Sequence, residues 1–247
     1  MNTAVMTERI TEASPRLKAR VAGAFELLEA LTSGFGQVIV PAMLIVSGDA
    51  AATAANLLAH ELLLRLSLAA ALVAVACHIA WTFLFYELFK PVNRSLSLLA
   101  AFVSLVAIAM QAFSSLFQIA PLVVLQGGGP LSAFTTEQLQ ALALMFLKLN
   151  AQAFYIYLVF FGFWCVLIGY LIFRSTFMPR ILGVLEAFAG LCWLTFLWPP
   201  FAHYLSPYNQ AFAGLAEISL MLWLLVMGVN AQRWKEQAGA ARASIHI

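Results

Sequence analysis

Charged side chains are scarce in this 247-residue chain, where Asp, Glu, Lys and Arg together account for 10% of the residues. An ordinary soluble domain carries about 25%. The deficit excludes a soluble globular domain and a charge-rich disordered chain. The net charge is only +2, which also excludes a nucleic-acid-binding surface, because phosphate contacts need a clear excess of Lys and Arg.

Cysteines and catalytic motifs are scarce as well. The three cysteines, Cys77, Cys165 and Cys192, are too few and too far apart for a disulfide framework or a zinc ribbon, so we interpret them as small apolar fillers. The sequence contains no G-x-S-x-G nucleophile motif and no paired-histidine or E-x-x-H metal spacing. We therefore predict no catalytic residues, no metal site and no cofactor, and we favour a protein that is not an enzyme.

What the chain has instead is apolar length. Hydrophobic residues make up 63% of it, and six stretches reach the roughly 20 apolar residues that a membrane-spanning helix needs. The sequence thus predicts an all-α, polytopic transmembrane bundle of six helices. A polar N-terminal segment (1–20) precedes the transmembrane domain (21–230), and a tail (231–247) follows it. The six stretches lie at about 21–46, 62–86, 95–125, 141–173, 180–198 and 208–229.

The basic residues predict the orientation of the bundle. Eleven of the 13 Lys and Arg residues lie in the two terminal segments and in alternate loops, and the loops near 47–60, 126–140 and 199–207 contain none. The other two, Arg65 and Lys148, lie inside span ends. Short loops rich in Lys and Arg stay in the cytoplasm. We therefore expect both termini to be cytoplasmic. The residues concerned are Arg9, Arg16, Lys18, Arg20, Lys90, Arg94, Arg174, Arg180, Arg233, Lys235 and Arg242.

Two helix starts can be recognised from capping residues. Ser14 followed by Pro15 is typical of an N-cap and a first helical position. Thr135, with Gln138 three residues later, has the spacing of a capping box. We expect the first and fourth helices to begin at these points.

Several motifs resemble an uncharacterised bacterial six-helix integral membrane family, known only as a domain of unknown function. They are Ser14-Pro15-Arg16, the segment KPVNRSL at 90–96, Phe173-Arg174-Ser175, MPRILG at 178–183 and EISLMLWLL at 217–225. The resemblance implies a multi-pass protein of the bacterial cytoplasmic (inner) membrane, and it implies no reaction. Glu186 stands where an apolar residue is expected in that family, so a role for Glu186 would be peculiar to this member.

Ionisable side chains within the spans are costly to bury and are therefore functional candidates. Four glutamates and one histidine lie at membrane depth, and they share helix faces with small and polar residues. These carboxylates cannot all be ionised in a dry interior, so some must be neutral, hydrated or bound to a cation. Ordinary helix packing is the alternative for the small residues, and Glu26 and Glu29 could also reach the cytoplasmic interface. The predicted ligand-binding cavity comprises Glu217, Glu186, Glu29, Glu26, His78, Gln111, Gln37 and Tyr155.

A second set of charged residues is predicted at the outer interface. Arg65 and Lys148 lie near the outer ends of their spans, where long side chains can extend to water. Glu61 stands four residues before Arg65, which is the spacing of a helical ion pair. A structural role for these three residues is the favoured interpretation, and an outward-facing ligand site is the alternative.

Three functions remain open from the sequence. The first is a non-enzymatic membrane protein whose polar intramembrane cavity binds or passes a small ligand, a lipid headgroup, a cation or a proton. The second is a packing-only scaffold or accessory subunit. The third is an intramembrane enzyme acting on a lipid or quinone, with His78 and Glu29 or Glu186 as the acid–base pair. The expected partners are the lipid bilayer and either a small ligand or another membrane subunit, with no nucleic acid.

Overall fold

The computed structural model describes residues 14–243, and all regular structure within this range is helical. Six of the helices are long and apolar enough to cross a membrane. They confirm the predicted all-α fold of six spans, with ends that lie within a few residues of the sequence-based limits. The spans are α1 (Pro15–Leu44), α3 (Glu61–Phe89), α4 (Arg94–Leu125), α5 (Thr136–Arg174), α6 (Arg180–Leu197) and α8 (Tyr208–Val226).

Both capping predictions are confirmed. The backbone N–H of Leu17 donates to Ser14 Oγ at 3.2 Å, and α1 begins at Pro15. At the start of α5, Thr135 N–H donates to Gln138 Oε1 at 2.9 Å, and Gln138 N–H donates back to Thr135 Oγ1 at 3.4 Å. The two bonds at Thr135 and Gln138 satisfy backbone donors that have no partner within the helix, and the Leu17 N–H is shared between Ser14 Oγ and Ser14 O.

Short helices occupy segments that sequence analysis treated as loops or tail. They are α2 (Ala50–Ala59), α7 (Pro199–Leu205) and α9 (Ala231–Ala243). Asp49 begins α2 by accepting from the backbone N–H of Ala52 at 2.9 Å. These helices are too short or too polar to cross a bilayer, which is why a search for apolar length does not find them.

The chain divides into two compact units. Within the described residues, the first unit comprises 14–27, 78–107 and 158–243, and the second comprises 28–77 and 108–157. The core of the first is aromatic, with the rings of Trp81 and Trp164 4.6 Å apart. The core of the second is aliphatic and includes Leu57, Leu64 and Leu122. Large apolar side chains are exposed along the spans, as expected for surfaces that face lipid.

In the first unit, α5 and α6 pack backbone to backbone through paired glycines. Gly169 lies opposite Gly183, and Gly162 lies opposite Gly190. A Cβ on Gly169 would lie 2.6 Å from Gly183 O, and one on Gly190 would lie 2.6 Å from Gly162 O. Because both pairs are seven residues apart, or two helical turns, the contact fixes the antiparallel register of the two helices.

The spans of the first unit meet at one end. Arg20 Nη2 donates to Val226 O at 2.8 Å, so the beginning of α1 adjoins the end of α8. Trp234 Nε1 on α9 donates to Leu88 O at 2.8 Å. The start of the first span and the end of the sixth therefore lie at the same end of this unit, as an even number of spans requires.

Candidate functional site

The glycine contact between α5 and α6 brings Cys165 against Glu186. Cys165 lies between Gly162 and Gly169 on α5, and Glu186 lies between Gly183 and Gly190 on α6. The thiol donates a hydrogen bond to the Glu186 carboxyl group. Both side chains are buried, with exposed fractions of 0% and 1%.

Two more carboxyl groups lie near the same thiol. Cys165 interacts electrostatically with Glu217 of α8 and Glu26 of α1 as well as with Glu186. Trp193, two turns beyond Glu186 on α6, donates its indole N–H to Glu217 Oε1. We call Glu26, Cys165, Glu186 and Glu217 the acidic cluster. It draws on four helices of the first unit, and three of its members are among the predicted cavity residues.

Glu186 is the most buried carboxyl group of the cluster. Glu26 and Glu217 are half-buried, whereas Glu186 is almost fully enclosed. Its Oε2 atom has no hydrogen-bond partner among residues 14–243. A buried carboxylate normally has each oxygen paired, because an unpaired buried charge is strongly unfavourable. Glu186 is thus an almost fully enclosed carboxyl group, one oxygen of which has no hydrogen-bond partner among the described residues.

His78, also in the first unit, lies in a hydrogen-bonded group of its own. Its Nε2 is 3.2 Å from Ser104 Oγ, and Ser104 Oγ is 2.7 Å from Thr82 Oγ1. The imidazole stacks on Trp81 with ring centroids 4.2 Å apart. This arrangement is typical of a histidine that connects packed helices through hydrogen bonds.

Gln37 belongs to a polar network in the second unit that is centred on Gln118. The Gln118 amide donates to Gly36 O and to Ser67 Oγ, both at 2.9 Å, and accepts from Gln37 Nε2 at 3.4 Å. Gly36 lies in a π-helical turn, Gly34–Ile39, where the widened backbone departs from α-helical hydrogen bonding. A Cβ on Gly36 would lie 2.6 Å from Ser67 O. The network therefore joins α1, α3 and α4 in a close contact.

The other predicted cavity residues of the second unit are Glu29, Gln111 and Tyr155. Glu29 and Gln111 are buried and Tyr155 is half-buried. The backbone carbonyl of Gln111 accepts from Ser114 Oγ at 2.7 Å, and that of Glu29 accepts from Thr32 Oγ1 at 3.2 Å. The predicted site residues are thus divided between the two units, and the acidic cluster brings together three of them, Glu26, Glu186 and Glu217.

The residues assigned to the outer interface are accessible. Arg65 and Glu61 form the expected i,i+4 ion pair, with Arg65 Nη2 2.7 Å from Glu61 Oε1. Slightly more than half of the Arg65 side chain is exposed, and Lys148 is exposed too. These observations fit charges that reach water, while their position relative to a membrane stays a prediction.

Sequence analysis missed a buried ion pair. Lys18 Nζ lies 3.3 Å from Glu87 Oε2, and Lys90 Nζ lies 2.5 Å from Glu87 Oε1. The Lys18 and Glu87 side chains are only 8% and 11% exposed. The spacing of Glu87 and Lys90 was a detectable signal, but nothing in the sequence indicates that Lys18 is the second partner.

Two further features bear on ligands. Among residues 14–243, no three His, Cys, Asp or Glu side chains are placed to hold a metal ion. Two open cavities adjoin the first unit's helices, one of them an apolar groove beside Gly169 and Gly183. Neither is lined by a predicted site residue.

A family model for a domain of unknown function, DUF4386, matches residues 21–228, which is most of the chain. The chain belongs to the DUF4386 family. No curated protein and no solved structure matches it. Membership of DUF4386 confirms the family resemblance seen in the sequence and assigns no reaction.

Proposed function

We propose that this DUF4386 protein is a non-enzymatic, multi-pass protein of the bacterial cytoplasmic membrane, with both termini in the cytoplasm, that holds an exchangeable proton in the acidic cluster. The observation that carries the proposal is the enclosed Glu186 side chain, whose Oε2 has no hydrogen-bond partner among the described residues. Membrane location and orientation rest on the six apolar helices and the distribution of basic residues.

The electrostatics of the cluster favour a bound proton. An ionised Glu186 would place a charge in a dry environment with one thiol as its donor, and a thiol is a weak donor. Glu26 and Glu217 add like charge near the same thiol, so further ionisation is opposed by repulsion. A proton on Glu186 removes its buried charge, lowers the repulsion within the cluster and supplies a hydrogen-bond donor.

The proton is favoured over the other ligands considered. A divalent metal needs several converging ligands, which the described residues do not provide. The enzyme alternative requires His78 as an acid–base group, whereas its Nε2 lies within hydrogen-bonding distance of Ser104. A packing-only scaffold is the remaining candidate, and the glycine contact of α5 and α6 is the observation in its favour.

Infrared difference spectroscopy of the purified protein tests the proposal. Spectra recorded at two pH values report protonated carboxyl groups as a C=O stretching band. We expect Glu186→Gln to remove one such band, because the amide cannot exchange a proton. Glu61→Gln is the matched control, since Glu61 is paired with an accessible Arg65 and its replacement should leave the band unchanged.

Thermal unfolding in detergent shows whether each variant is folded, so that loss of the infrared band is not confused with loss of structure. A Glu186→Gln protein that folds and loses the band supports a proton site. If it folds and the band persists, Glu217→Gln should then remove it, which would place the proton elsewhere in the acidic cluster. Persistence of the band in the Glu186→Gln, Glu217→Gln and Glu26→Gln variants would contradict the proposal and favour the scaffold.

A further inference from the structure

The turn after α8 lines an open cavity of about 400 Å³ that is separate from the acidic cluster. Helix α8 ends at Val226. Two residues later, Gly228 has a φ of +65°, and its N–H donates to Trp223 O at 3.0 Å. This left-handed glycine is a common helix stop. A Cβ at Gly228 would lie 3.0 Å from Arg16 Cγ, so the glycine also lets Arg16 pack against the turn.

Arg16 contributes a guanidinium group to the wall of this cavity. Its Nε donates to Met227 O at 3.2 Å, which anchors the side chain. The structure gives its two terminal nitrogens no hydrogen-bond partner among the described residues. When Nε is already bonded, a guanidinium group still has two terminal nitrogens, and these can donate together to two oxygens of a phosphate group.

Several backbone acceptors around the cavity are already used. Val226 O accepts from Arg20 Nη2 at 2.8 Å, and Phe177 O accepts from Asn230 N–H at 3.1 Å. The Asn230 Oδ1 atom caps α9 by accepting from Arg233 N–H at 3.1 Å. None of the lining residues within 14–243 is acidic. Arg16 is therefore the one charged residue among the described lining residues, and its positive charge favours an anion.

Trp223 adds a second, independent sign of a missing acceptor. It lines the cavity, and its indole N–H is buried without a hydrogen-bond partner among residues 14–243. Buried indole N–H groups usually find an acceptor. Phe177 and the Trp223 ring also make part of the wall apolar, as suits the glycerol and upper acyl region of a lipid.

We propose that this cavity binds the phosphate group of an anionic phospholipid, held by Arg16 and Trp223 at the end of the bundle where α1 begins and α8 ends. The site is independent of the proton site proposed above. Free inorganic phosphate has the same oxygens but lacks the glycerol and acyl groups of a phospholipid. An experiment can therefore distinguish the two ligands.

Native mass spectrometry of the full chain in mild detergent tests this site. Protein is titrated with phosphatidylglycerol, and retained lipid is counted at each concentration. We expect Arg16→Gln to weaken retention of the first lipid roughly tenfold, which is the loss expected for a charge-assisted pair. Arg180→Gln is the control: it removes the same charge from an exposed residue that lies over the Phe173 ring and does not line the cavity.

A second variant covers the case in which Arg16→Gln fails to fold. Ala231→Leu enlarges a lining residue without changing charge, and it should reduce lipid retention to a similar degree. Equal retention by Ala231→Leu and the unaltered protein would overturn the proposal, as would equal losses in Arg16→Gln and Arg180→Gln. Competition identifies the ligand. If added phosphatidylglycerol displaces the lipid already bound, and millimolar inorganic phosphate does not, the site binds a lipid. If inorganic phosphate alone displaces the bound lipid, the proposal is contradicted.

Discussion

The contribution of a charged residue to stability depends on whether its ion pair is accessible or buried. Glu61 and Arg65 form an accessible pair, whereas Lys18 and Glu87 form a buried one. An accessible pair contributes little to stability, since water and salt screen it. Removing one partner of a buried pair leaves an uncompensated charge, which is strongly destabilising. The same residue types therefore have different consequences in the two places.

Replacing Glu87 by Gln should destabilise the protein substantially. The change leaves the Lys18 ammonium buried without a counter-charge, at a cost on the order of 3 kcal/mol. We expect a clearly lowered melting temperature in detergent. Lys90→Gln is the control, because Lys90 is 40% exposed and its loss leaves Glu87 paired with Lys18.

A double variant separates charge from packing at this pair. Lys18→Met combined with Glu87→Gln removes both buried charges and should recover much of the lost stability. If Glu87→Gln melts at the same temperature as Lys90→Gln, Lys18 is reaching water and the interpretation of a buried pair is wrong.

Candidate residues could be chosen from the sequence, but their partners could not. Depth along a span marks Glu186 and Glu217 as unusual, and the structure places both in the acidic cluster. Cys165 was interpreted as an apolar filler, yet it donates to Glu186. A thiol carries no sequence signal for such a role, because its partner lies on another helix.

At the scale of helices, glycine acts differently from one position to the next. Gly169 and Gly183 make a backbone contact between α5 and α6, whereas a Cβ on Gly214 of α8 would meet no atom within 4 Å. Gly214 lies three residues before Glu217, on a helix face that the sequence predicts to pack. Composition marks all three as small, and only the register of the helices tells which glycine is in contact.

Gly169→Ala should therefore destabilise the protein, and Gly214→Ala should not. The new Cβ at position 169 would lie 2.5 Å from the backbone nitrogen of Ala187, so α5 and α6 must separate, at a cost of roughly 1–3 kcal/mol. At position 214 alanine only improves helix propensity, by up to about 1 kcal/mol. Thermal unfolding of the two variants in one detergent makes the comparison, and equal melting temperatures would contradict the proposed register.

At the scale of the whole molecule, the distribution of Lys and Arg makes a topological prediction. Reporter fusions after Val92 and after Met178 should be cytoplasmic, and a fusion after Ser132 should be external. The contact between Arg20 and Val226 agrees with termini at one end. An external reporter after the last helix would contradict the orientation, because six spans require both ends on one side.

The sequence by itself determined the number of spans, their approximate ends and the caps at Ser14 and Thr135. These features depend on apolar length and on interactions within a few residues of chain, which any local segment carries with it. Only the tertiary structure decided that Lys18 pairs with Glu87, that Gly36 fits against Ser67 and that Trp223 lines a cavity. Those facts depend on helix register and on contacts between residues far apart in the chain. Leu- and Ala-rich spans do not specify that register by themselves, because it is set by the packing of small and polar residues on neighbouring helices.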